Sequence, residues 1–178
     1  MRKDKDKGDK TMDDQDKAKK INLLFVDDEE AFLESITKRL EVRDFKVIAV
    51  NRGEKAVAAA RENRVDVALV DLKMPGMDGE ATLKALKDEH SWMEVVILTG
   101  HGSIDSAVSC AQSGAYFYLQ KPCTLERLLE VLADAYKKVV MNRMSMKQEK
   151  LEEILKKAEN QSPIGILRSL RELDKRDG

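Results

Sequence analysis

Five short apolar runs, separated by stretches of helical period, limit what this chain can fold into more than any other feature. They are INLLFV (21–26), KVIAV (46–50), VALV (67–70), VVILT (95–99) and YFYL (116–119). Each is four to six residues long and rich in Val, Ile, Leu or aromatics, which reads as a strand buried on both faces. Helical periods fill the gaps. Phe32, Leu33, Ile36 and Leu40 fall at i, i+1, i+4 and i+8, and Ile104, Ala107, Val108 and Ala111 at i, i+3, i+4 and i+7 behind a capping Ser103. Gly53 precedes a helix carrying Ala56, Val57 and Ala60, and Asp78-Gly79 precedes one carrying Leu83 and Leu86. Thr124, after Pro122, caps a fifth. Five strand–helix units in succession predict an α/β fold with a parallel sheet and helices on both faces. Right-handed crossovers then leave a doubly wound sandwich.

In such sheets ligands bind beyond the carboxyl ends of the strands, where the strand order reverses. The residues that end the strands therefore matter most. The first run leads into Asp27-Asp28 and then Glu29-Glu30, and the third into Asp71 and the loop LKMPGMDG. The fourth ends in Thr99, and the fifth leads into Gln120-Lys121-Pro122. Any one of these residues could merely solvate a loop, but that is a poor account of four strands at once. Carboxylates a few ångströms apart raise one another's pKa. A hard divalent cation with oxygen ligands relieves this, and Mg²⁺ is favoured because it is held by one or two carboxylates plus phosphate oxygens. Lys121 adds a second positive charge. Metal, lysine and one accessible carboxylate suit phosphoryl transfer, where positioning and charge stabilisation do most of the catalysis. The carboxylate acts as nucleophile and forms an acyl phosphate. Asp71, at the switch point before a glycine-rich loop, is the candidate.

Asp27-Asp28, Asp71 in DLKMPGMDG, Thr99 in ILTG, Tyr118, and Lys121 before Pro122 resemble the receiver domain of two-component response regulators, over residues 21–140. The resemblance implies a flavodoxin-like five-stranded sheet of order 2-1-3-4-5. It implies that Asp71 accepts phosphate from a sensor histidine kinase. Asp28 would ligate Mg²⁺ together with Asp71 and the backbone carbonyl of Lys73, with Asp27 acting through water. Lys121 would pair with the phosphoryl group, and Thr99 would bond one of its oxygens and draw its loop inward. Tyr118 would then move between exposed and buried positions, and the Lys121–Pro122 bond would be cis. Such a domain is no enzyme beyond its own Mg-dependent phosphorylation and dephosphorylation. Phosphatases of the haloacid-dehalogenase type also form an aspartyl phosphate on a similar fold. They need an acid two residues after the nucleophile as proton donor, and here that residue is Lys73.

Composition bounds the rest. A chain of 178 residues is one domain with extensions. With 32 basic and 33 acidic side chains, it offers no electrostatic case for nucleic acid or a membrane surface. Its apolar runs are far shorter than the roughly 20 residues of a membrane span. The N-terminus has no apolar signal-peptide core. Cys110 and Cys123 have no CxxC spacing, so reduced thiols in a cytoplasmic protein are expected. Residues 1–20 hold eight basic and six acidic side chains and are expected to be a disordered tail. His101 reads as a loop residue, Trp92 as a packing anchor, and Met141, Met144 and Met146 as an adaptable apolar face.

Residues 141–178 read as a helical extension of the receiver. Thr124 to Asn160 forms one helix, with Leu125, Leu128, Leu129 and Leu132 toward the sheet. Val140, Met144, Leu151, Ile154, Leu155 and Ala158 then continue close to a heptad seam, with Lys147 in one core slot. Ser162-Pro163 breaks the helix, and Ile164, Leu167, Leu170 and Leu173 mark a second amphipathic piece. Nothing there has a helix-turn-helix pattern. The expected output is protein contact: a downstream protein target, or a homodimer through this helix. The alternatives are a phosphorelay intermediate that passes its phosphoryl group to a histidine phosphotransfer protein, and a receiver fragment of a larger transcription regulator.

Overall fold

A computed structural model describes residues 20–158 of the chain. The charged tail expected over 1–20, apart from Lys20, lies outside the described residues, as does the second amphipathic piece after Pro163. The elements run β1 (Ile21–Val26), α1 (Glu30–Glu41), β2 (Phe45–Val50), α2 (Gly53–Glu62) and β3 (Val67–Val70). They continue α3 (Gly79–Glu89), β4 (Glu94–Thr99), α4 (Ile104–Gln112), β5 (Phe117–Gln120) and α5 (Leu125–Ala158). The five strands form one parallel sheet of order β2-β1-β3-β4-β5. This is the doubly wound, flavodoxin-like arrangement expected, and the order reverses between β1 and β3.

Alternation of side chains along the strands divides the core into two layers. Leu23 and Phe25 of β1 and Leu69 of β3 face α1 and α5, where Leu33, Leu40, Leu128 and Leu132 meet them. Leu24 and Val26 of β1 and Val70 of β3 face the other way, onto Ala56, Ala60, Leu83 and Leu86 of α2 and α3. The central strands β3 and β4 are buried along their whole length, as continuous apolar runs require.

The reading of the outer runs needs correction. The outer runs are not buried on both faces: β2 buries only Phe45, and β5 buries only Leu119. Each is an edge strand with one neighbour and partial helix cover. The run at β5 also starts one residue later than YFYL, and Phe117 is 38% exposed. The apolar stripe of α4 also looks outward. Ile104 is 83% and Val108 51% exposed, whereas Cys110 turns inward. This helix lies over the edge strand β5, where the sheet offers little apolar surface to cover.

The last helix is continuous over 34 residues, about 51 Å at 1.5 Å per residue. Leu128, Val131, Leu132, Ala135 and Val139 seat its first half on the sheet. Its grip extends one turn further through polar contacts that the sequence did not signal. Asp66 and Glu94 stand at the amino ends of β3 and β4 and are buried. Arg143 donates to Asp66 at 2.7 Å, and Asn142 donates to Glu94 at 3.0 Å. The Arg143 guanidinium lies 3.9 Å from the ring centre of Trp92, which packs against both core layers as an anchor. Beyond this grip Met144 and Leu151 are exposed.

Candidate acidic phosphoacceptor site

Strand register brings the acids together. Val26 and Val70 pair across β1 and β3, so the next residues, Asp27 and Asp71, leave the sheet at the same level. The ladder extends by one bond into each: Asp71 donates its N–H to Val26 at 2.8 Å and Asp27 to Val50 at 3.2 Å. Likewise Lys121 N–H donates to the Thr99 carbonyl at 2.8 Å, fixing the end of β5 against β4. The backbone of a buried sheet thus holds each functional side chain.

Carboxylate oxygens of Asp27, Asp28 and Asp71 all lie within 4.8 Å of one another. Asp27 is fully buried, Asp71 is 5% exposed, and Asp28 faces solvent. Burial pushes both Asp27 and Asp71 above the ordinary carboxylate value, although the Lys121 charge opposes this in each case. The Thr99 hydroxyl also lowers Asp71, and the neighbouring Asp28 charge raises it further. Lys121 Nζ donates to Asp27 at 2.7 Å and to Glu29 at 3.2 Å, and sits 4.1 Å above the Phe32 ring. Burial pulls its pKa down, but the bond and attraction to Asp27 outweigh this and hold it above the usual lysine value. One ammonium therefore faces three clustered carboxylates. The set is short of positive charge and made of hard oxygen donors, which fits a divalent cation such as magnesium.

The remaining site residues fall around this cluster. Thr99 is buried at the end of β4, and its hydroxyl accepts the His101 N–H at 3.2 Å. His101 itself is exposed on the loop, as expected. Lys73 lies exposed two residues after Asp71. The Lys121–Pro122 bond is cis, as expected. Tyr118 is half-buried and does not reach the acids. Its hydroxyl lies 3.1 Å from Ser106 Oγ, and Ser106 shares a capping box with Ser103 at the start of α4. The Tyr118–Ser106 contact and the Phe32 ring under Lys121 were not visible in the sequence. Both arise between elements, and no local spacing marks them.

A family model described as the response regulator receiver domain matches residues 23–133. The chain belongs to that family. Among curated relatives of this receiver is the DNA-binding transcriptional regulator NtrC of Salmonella typhimurium, 34% identical over 110 residues, covering 62% of this chain and 24% of NtrC. The alginate biosynthesis transcriptional regulatory protein AlgB of Pseudomonas putida is 34% identical over 135 residues, covering 76% of this chain and 30% of AlgB. Among solved structures, a response regulator receiver domain protein from Clostridium thermocellum is 32% identical with a TM-score of 0.65. That match covers 68% of this chain and 98% of the other. The chain spans about a quarter of the length of the first curated relatives it matches. Among the described residues, no helix of the receiver is long and apolar enough to cross a membrane.

Proposed function

We propose that Asp71 of this receiver accepts a phosphoryl group from the phosphohistidine of a sensor kinase, and that the resulting change in shape alters protein contacts. The observation that carries this reading is the buried Asp71 carboxylate, held level with Asp27 beside Asp28 and within the field of Lys121. An Asp71 oxygen attacks phosphorus, and the phosphorus–nitrogen bond breaks. The electron pair stays on the imidazole nitrogen, which takes up a proton. Asp28, Asp71 and the Lys73 carbonyl would hold Mg²⁺, with Asp27 acting through water, and the ion would supply neutralising charge for the phosphoryl oxygens. Lys121 transfers its contact from Asp27 toward the new phosphoryl oxygens, and Thr99 bonds one of them. The domain turns over no substrate beyond attaching and losing its own phosphoryl group. It works in the cytoplasm, where its kinase's phosphohistidine is available.

The domain division in this reading is a receiver over 21–140 followed by a helical extension. The exposed Met144 and Leu151 lie where α5 has left the sheet, and they fit the seam of a homodimer. A second reading draws on the relatives being regulators of transcription several times longer than the matched region. In it this receiver serves a longer transcription regulator, and α5 carries the signal to the parts that follow. Both readings place the phosphoryl group on Asp71. Borohydride reduction of the phosphorylated chain, followed by peptide mapping, tests that placement. Modification confined to the peptide containing Asp71 supports it, and modification of a different acidic residue refutes it.

A further inference from the structure

The loop 71–78 between β3 and α3 carries both the proposed nucleophile and the proposed metal-binding carbonyl of Lys73. Its base is closed by a hydrogen bond from Gly79 N–H to the Leu72 carbonyl at 2.9 Å, and its middle by the buried Leu72 and Met74. The far side needs another support, because Pro75, Gly76 and Asp78 are exposed. That support comes from a different element. Glu54, on the first turn of α2, accepts the Met77 N–H at 3.0 Å.

The surrounding residues allow this contact to be close. Gly76 has a φ of +81°, which L side chains rarely adopt, and a Cβ there would lie 2.8 Å from Glu54 Oε1. At Gly53 a Cβ would lie 2.8 Å from the Met77 carbonyl oxygen. The start of α2 therefore presses directly on the loop at Met77, with a glycine on each side of the contact. The hydrogen bonds that Glu54 accepts, from its own N–H and from Met77, hold its carboxyl below the ordinary value, so it is ionised at neutral pH.

We infer that Glu54 is a positioning residue for phosphoryl transfer: its carboxylate clamps the β3–α3 loop at Met77 and so holds in order the segment that carries Asp71 and the Lys73 carbonyl. This rests on the phosphoacceptor reading given above. Glu54 touches none of the reacting atoms. It acts by limiting the conformations the loop samples, an ordering that would otherwise be required on metal binding. A net hydrogen bond is worth about a threefold to tenfold change in an equilibrium.

The test uses the full chain as wild type, Glu54→Ala and Glu54→Gln. The measurements are Mg²⁺ titration followed by NMR, hydrogen exchange at the Met77 amide, and the rate of Asp71 phosphorylation by acetyl phosphate. Glu54→Ala is expected to speed Met77 exchange and to raise the Mg²⁺ concentration for half-saturation by about threefold or more. Its phosphorylation rate should recover at saturating Mg²⁺, since the nucleophile is intact. Glu54→Gln keeps an acceptor, so it should restore Met77 protection and most of the Mg²⁺ affinity. Equal Mg²⁺ affinity in wild type and Glu54→Ala overturns the inference. So does a Glu54→Gln variant as weak as Glu54→Ala, with the difference from wild type erased by salt, because that marks long-range charge rather than loop geometry. A wild-type chain that takes up no phosphoryl group overturns the phosphoacceptor reading itself, and is distinguished by failing before any variant is compared.

Discussion

At the scale of single residues, the site is a problem in charge and burial. Asp27 and Asp71 have folded pKa values raised above the ordinary carboxylate value, chiefly by burial. An acid shifted upward holds its proton more tightly in the folded state than in the unfolded one. Stability therefore falls as pH rises through the window between the two values, and stays lower above it. A divalent cation bound to the ionised carboxylates would offset that loss. Saturating Mg²⁺ should accordingly raise the melting temperature most near pH 7, with little effect by about pH 4, where protons compete for the same oxygens. Thermal unfolding at both pH values, with and without Mg²⁺, checks this. Asp71→Asn removes one of the crowded charges and should stabilise the metal-free chain by about 1 kcal/mol, while reducing the gain from Mg²⁺. Thr99→Ala separates carrying the phosphoryl group from sensing it. It should still be phosphorylated, but with little change in the Tyr118 resonances. Equal phosphate-dependent shifts in wild type and variant would show that Thr99 has no part in the response.

At the scale of elements, some features were legible in the sequence and others were not. Strands and strand-end residues were readable because the apolar runs VALV and VVIL stop abruptly at Asp71 and Thr99. Ser103 and Thr124 were readable as caps because the capping signal is local. The outward turn of the α4 stripe was not readable. Periodicity shows that a helix has an apolar face, but not whether the sheet edge beneath it is wide enough to bury that face. Ile104 and Val108 remain exposed as a result. Asp66 and Glu94 escaped notice for a similar reason: a lone acid before a strand gives no sign that a helix far along the chain will cover it. Two predictions follow from contacts of this kind. Ser106→Ala removes the hydroxyl shared by the α4 cap and Tyr118. It should cost about 1 kcal/mol and speed hydrogen exchange in the first turn of α4. Arg143→Ala leaves the buried Asp66 with Asn22 and the longer 3.5 Å contact to Arg64, and should cost about 2 kcal/mol in chemical unfolding.

At the scale of the whole molecule, the sheet has a chemical edge and a mechanical edge. The carboxyl ends of β3 and β4 carry Asp71 and Thr99, and their amino ends carry Asp66 and Glu94, which seat the root of the long helix. The receiver and the helix beyond it are thus fixed to the same two strands. If α5 serves as a homodimer seam, light scattering should give about twice the single-chain mass for the full chain but the single-chain mass for one stopped at Val140, with the dimer favoured further on phosphorylation. Two monomers under all conditions would remove the homodimer from the account. Intact mass decides whether Asp71 is the phosphoacceptor of a magnesium-dependent receiver. Wild type and Asp71→Asn are incubated with acetyl phosphate, with Mg²⁺ or with chelator. The predicted result is one phosphoryl group on wild type in Mg²⁺ and none in the other three samples. Uptake by Asp71→Asn at the wild-type rate, or by wild type in chelator, would contradict it.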